Sequence, residues 1–318
     1  MKTLPNFIIS LDYELLWGML DVKNLDKCIS NVRGETNAIP EMLDLFEKYN
    51  IGVTWAIVGM TLCENYDEWR SFKPQQIPKY EKKGKLTNYE IDIRSFKDEE
   101  LFFQKDMIKR IAACPRQEIA SHSYSHLYFS EPGITNEDIS NDFRLFENIS
   151  FQNNISCKSF IFPRNQVNDV ALKELKKHEF KTYRGNLQNF IQKDGHKDSQ
   201  SLLFKLIRFG DSYIQISKDL SYKNSANENL LNVPGSLFLR PVNSKTPYVL
   251  NKMHIKRIKK SMIMAAQNKE TFHLWWHPHN FGNSTDDNLL NLRDILEHYT
   301  VLSNEHGMTS KNMGEFTV

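Results

Sequence analysis

Short apolar runs alternate with longer stretches of helical spacing along the chain, and this alternation is what most constrains the fold. Runs at 7–11, 52–58, 118–121, 158–162, 180–183, 236–239 and 272–276 read as strands. Helical segments are predicted between them, near 35–49, 98–113, 136–150, 169–178, 252–268 and 287–305. In the first, Ile39, Leu43 and Phe46 recur at spacings of four and three, as on one face of a helix. Strand followed by helix, repeated, predicts βα units around a parallel sheet. About seven such units favour a closed or nearly closed α/β barrel over two doubly wound domains. The expected organisation is a single barrel domain over 1–318, with insertions near 64–97 and 187–230. Such insertions often build walls or lids over the end of a barrel where chemistry is done.

With 318 residues, 40% of them hydrophobic, the chain is long enough to bury a large core. Its 41 basic and 39 acidic residues leave a net charge of +2, which gives no broad footprint for nucleic acid. The cysteines, at 28, 63, 114 and 157, are isolated, so they form neither a CxxC zinc site nor a redox pair. Pro5, Asp12 and Glu14 interrupt the first apolar stretch, which argues against a signal peptide and for a cytoplasmic protein. In 201–214, Leu202, Leu203, Leu206 and Phe209 recur at helical spacing, while Lys205 and Arg208 lie three apart on another side. Packing on its own domain is the expected use of this stripe; docking on an anionic membrane is the lesser reading.

Chemistry-bearing residues fall at strand ends. The first strand closes in SLDYE, placing Asp12 and Glu14 two residues apart and on one face of an extended chain. Helix capping by one of them is the structural alternative. The third run closes in SHSYSH, and if the chain turns helical there, His122 and His126 share a face and can grip one ion. The last run, FHLWWHPHNFG, carries His273, His277 and His279. In a parallel barrel the carboxyl ends of all strands meet at one face, so these groups converge. Glu14, His122 and His126 then supply two imidazoles and one carboxylate, the pattern of a hydrolytic zinc centre with a position left open.

At these positions the chain resembles the polysaccharide deacetylases, or NodB-homology family, over roughly residues 5–285. The acidic pair takes the spaced form D-x-E; H-[ST]-x-x-H is matched by His122–Ser123–Tyr124–Ser125–His126, and L-x-x-H by Leu274–Trp275–Trp276–His277. The resemblance implies a distorted (β/α)7 barrel and a divalent metal, usually zinc. It implies Asp12 as catalytic base, Glu14, His122 and His126 as metal ligands, and His277 as general acid, with His279 a rival for that role. The family's arginine motif is altered to IFPRNQ, which makes Arg164 a candidate for steering Asp12, and Arg184 in KTYRGN a second. Trp17, Arg184, Leu274 and His279 are candidate substrate contacts, although strand alternation points Leu274 away from His277. The expected reaction removes an acyl group, such as acetyl, from an N-acylated sugar in surface-glycan biosynthesis. The sugar is expected to be nucleotide-linked, lipid-linked or part of an oligosaccharide. The alternatives are a hydrolase of a small non-sugar amide and a catalytically silent sugar-binding barrel.

Overall fold

A computed structural model describes residues 4–22, 24–187, 202–217, 220–223, 230–243 and 245–316, with the side chains of 202–205 and 208 excepted. Much of the second insertion, 187–230, therefore lies outside the described residues, as do the side chains of Lys205 and Arg208. The strands are β1 (Asn6–Tyr13), β2 (Val53–Ile57), β3 (Gln117–Ser121), β4 (Ser159–Ile161), β5 (Thr182–Arg184), β6 (Leu231–Asn232), β7 (Leu237–Phe238), β8 (Thr271–Trp276) and β9 (Thr309–Lys311). The helices are α1 (Leu25–Lys48), α2 (Tyr66–Ser71), α3 (Lys105–Ala113), α4 (Asn136–Gln152), α5 (Asp169–Lys177), α6 (Leu202–Asp211), α7 (Tyr248–Asn268) and α8 (Thr285–His306).

All strand pairs are parallel, in the order β6-β5-β4-β3-β2-β1-β8-β7, with β9 added beside the first half of β1. Both ends of this path fall on one short stretch of chain. Val233 N donates to Tyr183 O at 2.8 Å and Gly235 N to Gly185 O at 3.2 Å; then Ser236 N donates to His273 O at 2.8 Å and Leu239 N to Trp275 O at 2.9 Å. The stretch 231–238 thus pairs first with β5 and then with β8, and the sheet curls back on itself as a distorted seven-strand barrel. The insertion at 64–97 folds into α2 and 3-10 turns, and its Trp69, Tyr89 and Ile93 join the main core.

Strand alternation sorts the side chains. Ile8, Ala56, Ala120, Ile161 and Val233 point inward and pack with Met313 and Phe316 from the C-terminal segment. Their neighbours, among them Phe7, Ile9, Leu11, Trp55, Phe272 and Leu274, pack outward against the helices. Further along the inward rows come Ser10 and His273, then Asp12, His122 and His277 at the carboxyl end.

Two helices start later or earlier than the sequence reading has them. Helix α1 starts at Leu25, ten residues before the expected 35, because Asn24 caps it by accepting from Lys27 N. The helix expected over 98–113 begins only at Lys105, after a 3-10 turn. The stretch 201–214 does hold a helix, α6, on which Leu206 and Phe209 are exposed. Among the described residues, no helix is long and apolar enough to cross a membrane.

Candidate active site

Asp12 lies on the last inward turn of β1, and Glu14 follows just beyond the strand. Glu14 is positioned as the cap of the 3-10 turn Leu15–Gly18, yet its side chain makes no capping bond. It turns instead to the barrel mouth, and Gly18 leaves room for it: a Cβ there would overlap the Glu14 carboxylate. Both carboxylates are buried.

His122 and His126 converge on Glu14 without a helix. Residues 122–127 form a loop in which Ser123 and His126 adopt left-handed φ values of 67° and 55°. Such conformations carry a cost and persist where the surroundings impose them. Here the constraint is Asp142 of α4, a buried carboxylate that accepts from Tyr124 N (2.9 Å), Ser125 N (3.0 Å) and Ser125 Oγ (2.7 Å). Asn88 of the insertion adds a bond to Ser125 O at 3.0 Å.

The donor set fits a divalent cation. His122 Nδ1 donates to Ile161 O at 2.8 Å, so its Nε2 carries the lone pair. That lone pair faces Glu14 Oε1 at 3.0 Å, and His126 Nε2 faces the same oxygen at 3.2 Å. An acceptor facing a carboxylate oxygen needs a proton or a cation between them. Two imidazoles and one carboxylate, with ligand atoms all within 4.8 Å of one another, match the ligands of hydrolytic zinc. Asp12, Glu14 and His277 form a second cluster of this kind. It is the poorer site, since both Asp12 oxygens are already taken.

They are taken by Arg184, whose Nη1 meets Oδ1 and Nη2 meets Oδ2, each at 2.7 Å. Arg184 Nη1 also donates to Ser10 Oγ at 2.9 Å, and Nη2 donates to Asn165 Oδ1 at 3.2 Å. Behind them, His273 Nε2 lies 2.8 Å from Ser10 Oγ and its Nδ1 3.2 Å from Val233 O. The indole of Trp275 covers the guanidinium at 4.4 Å. Burial alone would raise the Asp12 carboxyl, but Arg184, with His277, holds it below the usual range. Glu14 is likewise held well below it, burial being outweighed by His277 and His126.

His277 Nε2 stands 3.5 Å from Glu14 Oε1 and 3.8 Å from Asp12 Oδ2, with its side chain 23% exposed. Burial would lower it; the two carboxylates outweigh burial and hold it above its ordinary value. His279, its ring 5.0 Å away, is pushed down to about 3 by burial and by the charge on His277. These groups open on a cavity of about 560 Å³ lined by Asp12, Glu14, Asn165, Trp275, His277 and His279.

Several expected placements are corrected. The arginine on Asp12 is Arg184, not Arg164. Left-handed backbone at Arg164 and Asn165 (φ 54° and 52°) turns Arg164 to the rim, where it pairs with Asp21 at 2.7 Å, and offers Asn165 inward to Arg184. Trp17 is not a substrate contact: it is buried, donates to Phe102 O at 2.8 Å and packs on Trp69 and Phe102. Leu274, paired with Ile9, faces the helices as strand alternation requires. Ser10, Asp142 and Asn165 were not singled out in the sequence. An aspartate inside a helical pattern reads as solvated surface, so nothing marks Asp142 in advance.

Residues 33–183 match the family model described as polysaccharide deacetylase. The span contains His122, His126 and Arg164 and stops one residue short of Arg184. Asp12, Glu14 and His277 lie outside it and are joined to it by the fold. Among solved structures, a protein from Mycobacterium smegmatis described as a polysaccharide deacetylase is 13% identical and has a TM-score of 0.59, covering 99% of this chain and 90% of its own. PuuE allantoinase is 12% identical with a TM-score of 0.57, covering 98% and 88%. A protein from Pseudomonas aeruginosa PAO1, also described as a polysaccharide deacetylase, is 10% identical with a TM-score of 0.57, again covering 98% and 88%. No curated protein sequence matches the chain. The fold is thus that of the NodB-like α/β barrels. The family match over 33–183 bears on the resemblance to polysaccharide deacetylases through the His122–His126 motif that it contains.

Proposed function

We propose that the protein is a metal-dependent hydrolase that removes an acyl group from an N-acylated sugar, with zinc as the metal. One observation carries this reading: an ionised Asp12, clamped through both oxygens by Arg184, stands beside a two-histidine, one-carboxylate cluster whose Glu14 lines an open cavity.

Glu14, His122 and His126 would hold the ion, whose chemistry is Lewis acidity toward the acyl oxygen and the attacking water. Asp12 accepts the proton of that water as it attacks the amide carbonyl, and Arg184 keeps the carboxylate ionised and aimed. His277, its proton affinity raised by the two carboxylates beside it, delivers a proton to the departing amine. His279, neutral at physiological pH, does not suit the acid role and serves as a hydrogen-bonding wall of the cavity. Hydrolysis of a small non-sugar amide is the second reading, since PuuE allantoinase has this fold and the machinery does not specify the leaving amine.

Zinc content and turnover of N-acetylated sugars and of a small ureide test the proposal together. Asp12→Asn is expected to keep zinc while losing about 10²–10⁴-fold in kcat. His122→Ala is expected to lose both. Stoichiometric zinc in His122→Ala would remove the ligand assignment, and turnover of the ureide alone would favour the second reading.

A further inference from the structure

Both η nitrogens of Arg184 use all of their hydrogens. Nη1 donates to Asp12 Oδ1 at 2.7 Å and to Ser10 Oγ at 2.9 Å, while Nη2 donates to Asp12 Oδ2 at 2.7 Å and to Asn165 Oδ1 at 3.2 Å. The remaining donor, Nε–H, is buried and makes no hydrogen bond. The plane of the guanidinium is therefore set by the four acceptors around its η nitrogens. Two of these belong to the carboxylate being aimed. Ser10 and Asn165 are the outside references that hold the fork in register with it, under the indole of Trp275.

Ser10 Oγ belongs to a chain that can run in one direction only. Val233 O can only accept, so His273 Nδ1, 3.2 Å from it, carries the ring proton. Burial, with the charge of Arg184, pushes this imidazole down to about 3, so the ring is neutral and Nε2 keeps its lone pair. Nε2 lies 2.8 Å from Ser10 Oγ and accepts its O–H. The serine oxygen then turns its lone pairs to Arg184 Nη1, which can only donate. The donors run from Arg184 to Ser10, to His273, to the carbonyl of Val233. Ser10 and His273 are fully buried, where a hydroxyl turned the wrong way would leave polar atoms unsatisfied. His273 is also fixed through its backbone: its N donates to Ser236 Oγ at 3.0 Å, and its O accepts from Ser236 N at 2.8 Å.

We infer that Ser10 and His273 are positioning residues for the base: His273 turns the Ser10 hydroxyl so that its oxygen faces Arg184, and this fixes the guanidinium that aims Asp12. Neither residue lines the catalytic cavity. The inference rests on the deacetylase reading above, which supplies the reaction that Asp12 serves.

The test uses zinc-loaded protein with N-acetylglucosamine and its β-1,4-linked tetramer as probes. Ser10→Ala is expected to keep its zinc and to lose about tenfold or more in kcat, with KM changed by less than about twofold. Ser10→Thr, which keeps the hydroxyl, is expected to recover most of the loss. His273→Gln, whose amide oxygen can accept from Ser10, should be faster than His273→Leu, which has no acceptor. Because the links act as one unit, the double variant of Ser10→Ala with His273→Leu should be within about twofold of the slower single variant. Near-wild-type kcat in Ser10→Ala, a loss that Ser10→Thr does not recover, or single losses that multiply in the double variant overturns the inference. The ¹⁵N spectrum of the histidine rings reads the direction of the chain without reference to turnover: at pH 7, His273 should show a protonated Nδ1 and a bare Nε2. The opposite tautomer also overturns the inference. A zinc-loaded wild type that shows the expected tautomer yet turns over neither probe counts instead against the deacetylase reading, and the positioning role falls with it.

Discussion

Asp142 touches no expected ligand atom, yet it decides where two of them stand. Its carboxylate accepts three hydrogen bonds from the 123–125 stretch, and the strained backbone on either side needs that anchor. In Asp142→Asn one oxygen becomes an NH₂ group facing a backbone N–H. A bond is lost and a buried donor is left without an acceptor, at a cost of about 1–3 kcal/mol. Zinc affinity, measured by competition with a chromogenic chelator, is expected to fall by about tenfold or more, while Asp142→Glu recovers part of it. An unchanged affinity would reduce Asp142 to a structural role. At this scale the sequence showed residue types more readily than directions. Asp12, Glu14, His122, His126 and His277 were legible because they end apolar runs. The choice between Arg164 and Arg184 was not, because it depends on a left-handed turn at Arg164–Asn165 that no local pattern announces.

The elements that were legible are those with enough residues to show a period. β1, β7, β8, α4 and α8 lie close to their expected places, whereas β6 and β9, with two and three residues, carry almost no periodicity. Motif spacing also needed tertiary context: His122 and His126 meet through a tethered loop rather than along a helix face. The turn bearing the last histidines is positioned by contact with α1. Gly34 and Gly282 approach so closely that a Cβ on Gly34 would overlap the Gly282 carbonyl. Gly34→Val should push the turn Pro278–Phe281 away and displace His277. Stability should drop by about 1–3 kcal/mol, as for other overpacked sites, with kcat reduced and zinc retained, since Glu14, His122 and His126 lie on other elements. Urea denaturation and metal analysis check both halves, and wild-type stability in this variant would contradict the packing argument.

Across the whole molecule, buried neutral histidines tie folding to pH. His254 accepts from Arg240 N at 3.0 Å and lies 2.7 Å from Ser212 O, so its neutral form satisfies both partners. Burial pushes it down to about 4 and His273 down to about 3. In the unfolded chain both titrate near 6.5, so below that pH the unfolded state binds more protons than the native one. The stabilisation is complete above about pH 6.5 and is lost as pH falls toward 4 and then 3. Each histidine contributes a slope of about 1.4 kcal/mol per pH unit within its window. Urea midpoints at pH 7.5, 6.0 and 5.0 should therefore fall progressively, and His254→Gln should flatten the trend. A flat wild-type profile would contradict it.

The stretch 231–238 closes the barrel by lending two residues to β5 and two to β8, much as a clasp closes a hoop. Its first half pairs only with β5 and its second only with β8, so the barrel is shut only where both pairings are made. Gly235 sits on the seam against the indole of Trp275 and the stem of Arg184. The arginine that aims Asp12 therefore lies directly inside this seam. A chain with an open seam would keep its zinc ligands, all carried by β1, β3 and the loops that follow them, and would still lack an oriented base. On the function proposed above, the residues that would bind the metal and the arginine that orients the base are thus set on different parts of the barrel.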